Sequence, residues 1–376
     1  MIGGAVRNAL MGRPVTGDID VATTLLPEAV IARAAAAGLQ TAPTGIEHGT
    51  VTVIGRQRVI EVTTLREDIE TDGRRAVVRF GTDWAADAAR RDFTINALSV
   101  DIAGRLYDTV GGLADIAARR VRFIGSADRR IAEDRLRVLR FFRFHAALGS
   151  GAPDGEGLGA AIRARHDLGL LSAERIGQEM RKLIIAPGAP ATLRLMQESG
   201  ILPLVAAGIA DLCGFDRLAA DADAPDDSSL RLAALFARIQ EDIDRITRRF
   251  RLANRERDRM SAALAAAAIL AVGATAGDRV AAYRFGSEAV LGGLALLGAR
   301  RVISEEELAH RRHAAAAFAV PVFPLSGRDI VECGIGRGPA VGVLLRRLEA
   351  WWLAQDFRPD AAALRTRLQA MIAGQQ

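Results

Sequence analysis

Two short stretches near the start decide the fold of this chain: Gly3-Gly4-Ala5-Val6-Arg7 and, ten residues on, Gly17-Asp18-Ile19-Asp20. Adjacent glycines let backbone N–H groups come close to a phosphate, and Arg7 supplies the matching charge. On a strand, side chains alternate with period two, so Asp18 and Asp20 point to the same face. Paired carboxylates on one face form the hard oxygen donor set that Mg²⁺ prefers, together with substrate phosphates.

Further along the head lie Thr50 to Ile54 and Val59 to Thr64, both rich in β-branched residues and separated by Gly55-Arg56-Gln57, which predicts a hairpin. Asp101 to Tyr107 repeats the pattern with Gly104 at the bend. Glu61 is the one charge in Val59-Ile60-Glu61-Val62-Thr63-Thr64. Beside an Asp-x-Asp pair it is a candidate third carboxylate, able to orient an attacking hydroxyl or share a metal in two-metal phosphoryl chemistry. Arg90-Arg91-Asp92-Phe93-Thr94-Ile95-Asn96 follows, with Asp92 and Asn96 one helical turn apart. That spacing suits binding a triphosphate and a ribose hydroxyl from one surface.

From about residue 126 the chain reads as helical, for example over Ala132 to Leu148, Ser172 to Ile185, Leu230 to Phe236 and Gly342 to Ala354. Glu133-Asp134-Arg135-Leu136-Arg137 falls at the start of this part, and on a continuous helix Asp134, Arg137 and Arg140 share a face. A carboxylate there accepts from an exocyclic amine while a guanidinium donates to the adjacent ring acceptor. Cytosine and adenine offer that edge; uracil and guanine present a carbonyl where the carboxylate needs a donor. Such a site selects C and A with no nucleic-acid template, because mispairing buried polar groups is costly.

The 376 residues exceed one comfortable core, and 50% apolar with 25% charged residues is ordinary for a globular protein. Cys213 and Cys333 stand far apart, which suits a reducing cytoplasm and supplies neither a disulfide framework nor a zinc pattern. The longest apolar run, Ala262 to Val272, is too short and alanine-rich to span a bilayer, so no membrane association is expected. His166-Asp167 lacks partners for a metal-dependent phosphohydrolase and reads as surface. Formal charge is +5, carried almost wholly by arginine, with Lys182 the lone lysine. Arginine grips phosphates bidentately. Arg248, Arg249 and Arg251 belong to a dense basic stretch from Arg245 to Arg259 that is a candidate RNA contact. Asp221 to Ser229 reads as an exposed acidic linker, and Trp351-Trp352 as packing rather than a base-stacking platform.

These blocks, in this order, resemble the class II tRNA nucleotidyltransferase and bacterial poly(A) polymerase family. Thr71-Asp72-Gly73-Arg74-Arg75 is similar to its mobile loop, and Glu174-Arg175-Ile176 to a helix supporting the nucleotide pocket. Pro324 to Ile330, with Gly338-Pro339, is similar to its tail. The resemblance implies an α+β head of the polymerase-β nucleotidyltransferase type over residues 1–125. A helical neck with the base-reading motif would occupy 126–200, and an RNA-binding helical body and tail 201–376. It implies Asp18 and Asp20 as Mg²⁺ ligands and Gly3, Gly4, Arg7 and Arg91 around the triphosphate. Asp92 would meet the ribose, and Asp134 and Arg137 the base, with Arg140 nearby. The implied reaction is CCA addition to the tRNA 3′ end from CTP and ATP, with no protein partner. Poly(A) synthesis or an inactive RNA-binding relative are the alternatives. Two departures stand out. Asn8 replaces the family's usual Asp, and the family's helix and strand before the double glycine are lacking, so the head is expected to be N-terminally truncated.

Overall fold

Alternation of Val and Thr in Thr50–Ile54 sends Val51 and Val53 to one side of a sheet and Thr50 and Thr52 to the other. In the computed structural model, which describes residues 1–15, 19–55, 58–72, 75–272 and 275–373, that alternation organises the head. Helix α1 (Gly4–Leu10) precedes strand β1 (Ile19–Thr23), helix α2 (Pro27–Ala36) and strands β2 (Gln40–Gly45), β3 (Thr50–Ile54) and β4 (Val59–Thr64). The sheet order is β1-β4-β3-β2, with β1 parallel to β4 and the other pairs antiparallel. Val51 and Val53 bury against Val30 and Ala34 of α2. The opposite face carries Asp20, Glu61 and Thr52, which sit side by side in register across three strands.

The predicted β3–β4 hairpin is present, although Arg56 and Gln57 of its turn lie outside the described residues. Strands β5 (Arg66–Asp72) and β6 (Arg75–Phe80) pair around the predicted loop, whose Gly73 and Arg74 also lie outside them. The second predicted hairpin shrinks to Ser99–Val100 against Leu106–Tyr107. Asp101 takes over the intervening turn, accepting from the Ala103 and Arg105 N–H groups and the Tyr107 hydroxyl. Met1 and Ile2 lie beside the outer edge of β1. Ile2 N–H donates to the Asp20 carbonyl, and Val100 N–H to that of Met1.

Helices α3 (Trp84–Ala89), α4 (Gly112–Ala117), α5 (Ala127–Glu133), α6 (Leu136–Leu148), α7 (Gly155–Arg163) and α8 (Ala173–Ile184) complete this region. Phe93, Phe123, Phe141 and Phe144 form its aromatic core, with the Phe93 and Phe123 rings 4.8 Å apart. The helix predicted over Ala132 to Leu148 is broken. Asp134 is extended at φ −154°, and its carboxylate accepts from Leu136 N–H to start α6. Gly177 of α8 has a physical requirement: a Cβ there would stand 2.1 Å from the Phe250 carbonyl oxygen.

The chain divides into two compact units, residues 1–209 with 248–251, and residues 210–247 with 252–376. In the second, the alanine-rich run forms the end of helix Asn254–Val272, burying Ala263, Ala266, Ala267 and Leu270. Arg311, 5% exposed at its side chain, pairs with Asp278 and donates to the Leu270 carbonyl. Asp221 and Asp227 of the predicted linker are both tied down, one by Arg312 and the other as a cap on Leu230 N–H. Trp352 is 2% exposed and packs against Phe323, Phe357 and Tyr283, as expected of a packing residue. Among the described residues no helix is long and apolar enough to cross a membrane.

Candidate active site

The double glycine opens α1, and its first member takes a backbone conformation that other residues rarely adopt. Gly3 has φ +68°, and a Cβ on it would lie 3.2 Å from Arg91 Nη1 and 4.0 Å from Asp20 Oδ2. One turn later Arg7 donates to Asn96 Oδ1. Asn8 accepts from Arg7 Nε at 3.1 Å and Nη2 at 2.9 Å, so the replaced acid still orients this guanidinium. Asn96 Nδ2 donates to Asp92 Oδ1 at 3.1 Å, and Arg140 Nε to Asp92 Oδ2 at 2.7 Å. Three segments distant in sequence thus form one chain of bonds, Arg7–Asn96–Asp92–Arg140.

The 3₁₀ turn Thr94–Asn96 that carries Asn96 rests on Asp115, which is fully buried. Asp115 accepts from Thr94 Oγ1 at 2.6 Å, Arg120 Nε at 2.7 Å and Arg122 Nε at 2.9 Å. Arg90 and Arg91 are aimed by Asp87, at 2.8 and 3.1 Å. Burial opposes ionisation of Asp92, but Arg140, Asn96 and the Phe93 N–H outweigh it and hold its carboxyl below the usual range. Burial, and then the neighbouring Arg143, push Arg7 down to about 10. An incoming polyanion relieves that crowding.

These groups surround a cavity of about 540 Å³. Its walls include the predicted Gly3, Gly4, Arg7, Asp20, Arg91, Asp92, Asn96, Asp134, Arg137 and Arg140. Arg90, Arg143, Phe144 and Arg175 line it as well, so seven guanidiniums face three carboxylates. Asp87, Glu133 and Glu179 pair with four of these guanidiniums from behind, and the small positive surplus that remains suits a substrate carrying phosphate charges. Arg143 was legible as the next step in the three-residue spacing of Arg137 and Arg140, and Arg175 lies in the supporting helix already singled out. Phe144 carried no sequence signal; its ring lies under three guanidiniums, those of Arg7, Arg140 and Arg143. Asp18 lies outside the described residues. Asp20 and Glu61, adjacent in register on one face, offer the oxygen donors a hard divalent cation takes.

The Asp134–Arg137 segment is built differently from the expected i, i+3 pair. Because the helix breaks at Asp134, its Oδ2 accepts instead from Arg175 Nη2 at 2.7 Å. Arg137 is held by Glu133 Oε2 at 2.5 Å and the Arg130 carbonyl at 2.8 Å. Both still face the cavity.

The basic stretch also divides by role. Arg249 donates to the Leu204 and Val205 carbonyls at 2.8 and 3.2 Å, closing a helix end rather than presenting charge. Arg248 is exposed, and Arg251, 63% exposed at its side chain, pairs loosely with Glu174 at 3.3 Å. Arg249→Ala is therefore expected to lower unfolding stability by about 1–3 kcal/mol, read by denaturant titration. Arg248→Ala with Arg251→Ala should leave stability unchanged and weaken RNA binding in a salt-dependent way. Equal RNA affinity for that double variant and the parent would remove both arginines from the RNA path. His166 is exposed, and no cluster of three His, Cys, Asp or Glu side chains suited to a metal occurs among the described residues.

Residues 1–122 match the family described as the poly A polymerase head domain. Residues 158–212 match the one described as a probable RNA and SrmB-binding site of polymerase A. The chain is 32% identical over 372 residues to the human mitochondrial CCA tRNA nucleotidyltransferase 1, covering 95% of this chain and 83% of that protein. It is 40% identical over 203 residues to the CCA-adding enzyme of Geobacillus stearothermophilus, covering 53% of this chain and 48% of that one. The crystal structure of the Bacillus stearothermophilus CCA-adding enzyme in complex with CTP superposes with a TM-score of 0.78 at 28% identity, covering 100% of this chain and 93% of that one.

Proposed function

The chain belongs to the CCA-adding tRNA nucleotidyltransferase family, and from its site we propose that it completes tRNA 3′ ends with C, C and A, taken from CTP and ATP without a nucleic-acid template. The observation that carries this is that Asp134 and Arg137, each held by a different partner, line one cavity together with an arginine-rich wall and the Asp20 carboxylate. The arginines grip the triphosphate and offset charge as pyrophosphate leaves, while Asp92 and Asn96 meet the ribose. Asp134 accepts from the exocyclic amine, and Arg137 donates to the neighbouring ring nitrogen. Both bonds that Arg137 makes leave through Nη1, and a carboxylate has about four acceptor positions, so each keeps capacity for the base.

The tRNA 3′ hydroxyl then attacks the α-phosphorus, forming a new phosphodiester and releasing pyrophosphate. Asp20, with Glu61 beside it and Asp18 two residues before it, would hold Mg²⁺. When bound, two such ions supply an activated hydroxyl and charge compensation at the leaving oxygens. Two separate free thiols, Cys213 and Cys333, accord with a cytoplasmic setting.

The test is extension of one tRNA ending before CCA, after the first C or after CC, with Mg²⁺ and all four nucleotides, followed by product sequencing. Addition that stops at CCA from each substrate is expected. A run of A would overturn the proposal in favour of a poly(A) polymerase, and no addition would favour an RNA-binding relative.

A further inference from the structure

Arg130 is not among the residues lining the cavity, yet all three of its guanidinium nitrogens are committed beside it. Its side chain is 14% exposed. Nε donates to the Ile124 carbonyl at 3.0 Å, Nη1 to Glu133 Oε2 at 2.9 Å, and Nη2 to the Ala89 carbonyl. Ala89 ends α3 immediately before Arg90 and Arg91. The same Glu133 oxygen receives Arg137, which also donates to the Arg130 backbone carbonyl. One side chain therefore joins the segment that aims the phosphate arginines to the residue that reads the base.

We propose that Arg130 is a positioning residue for nucleotide selection, registering Arg137 against the bound triphosphate. Resting on the function proposed above, this assigns selectivity to a group that touches no nucleotide. The reason is geometric. A base edge is read only if the guanidinium stands at a set distance from the phosphates that anchor the same nucleotide. Glu133 ties Arg137 of α6 to α5; Arg130, on α5, ties that helix to α3. Lysine cannot replace it, because a single ammonium lacks the planar fork that reaches two carbonyls and a carboxylate in three directions.

The experiment compares Arg130→Lys with Arg129→Met on a tRNA ending before CCA, measuring kcat/KM for CTP and for UTP separately. Arg129 touches the other Glu133 oxygen from an 80% exposed position and serves as the control. Expected for Arg130→Lys is a fall of about tenfold in the CTP to UTP ratio, arising from gained UTP use and a raised KM for CTP. KM for tRNA should stay near the parent's, while the thermal midpoint falls modestly, because the Ile124 and Ala89 carbonyls lose their donors. Arg129→Met should keep the parent ratio. A folded Arg130→Lys with the parent ratio, or with equal losses for both nucleotides, overturns the proposal. If Arg130→Lys does not fold, Arg130→Gln, which keeps one donor, is read by the same ratio. A parent enzyme showing no preference for CTP would instead overturn the proposed function.

Discussion

Asp20→Asn is expected to lower the rate of nucleotide transfer by about a thousandfold or more, while nucleotide binding changes by less than about tenfold. Asparagine keeps the shape and removes the charge. Asp20 faces the cavity from β1, opposite Glu61 in the parallel register with β4, so the substitution removes one of two neighbouring carboxylates on the reactive face. Losing a charged metal ligand forfeits several kcal/mol of transition-state stabilisation, and each ~1.4 kcal/mol is tenfold in rate. In the proposed site the triphosphate is gripped by the cavity's arginines, which the substitution leaves in place. Single-turnover extension gives the rate, and equilibrium binding of labelled CTP gives the affinity. A rate within tenfold of the parent's would remove Asp20 from the chemistry. An equal loss of rate and binding would make it a binding group instead.

Asp134→Ala should act on choice rather than speed. One bidentate pairing with a base edge is worth about 1–3 kcal/mol of discrimination, which corresponds to roughly 5- to 150-fold between right and wrong bases. The variant is expected to incorporate UTP and GTP with that much less penalty, while the Mg²⁺ dependence of the rate stays as in the parent. Arg175 loses its 2.7 Å partner in the same change, so a modest drop in thermal midpoint accompanies it. Misincorporation is measured by sequencing products formed from each nucleotide alone. If Asp134→Ala still takes only CTP and ATP, the base is read elsewhere and the role given to this motif falls.

These two residues show what local sequence can carry. Asp20's place on the sheet face that meets the cavity was legible because it needs only period-two alternation. Asp134 was singled out from its sequence and lines the cavity, but its geometry was misread. Helical spacing assumes an unbroken helix, and Asp134 caps the next helix with its own carboxylate, a local competition that spacing does not register. Arg249 was misassigned for a related reason. Its charge is visible in sequence, but its commitment to the Leu204 and Val205 carbonyls, more than forty positions away, is a tertiary fact.

By itself the sequence determined the α+β head and helical remainder, the order of its short polar motifs, and the family. Hydrophobic period and short motifs are properties of neighbouring residues, and those survive without coordinates. Tertiary structure alone decided which side chains pair. It placed Asp20 beside Glu61, linked Arg7 to Asp92 through Asn96, gave Asp134 to Arg175, and tied Arg130 to the end of α3. A charge in a cavity takes the partner that folding brings within about 3 Å, and that distance depends on the packing of segments remote in the chain.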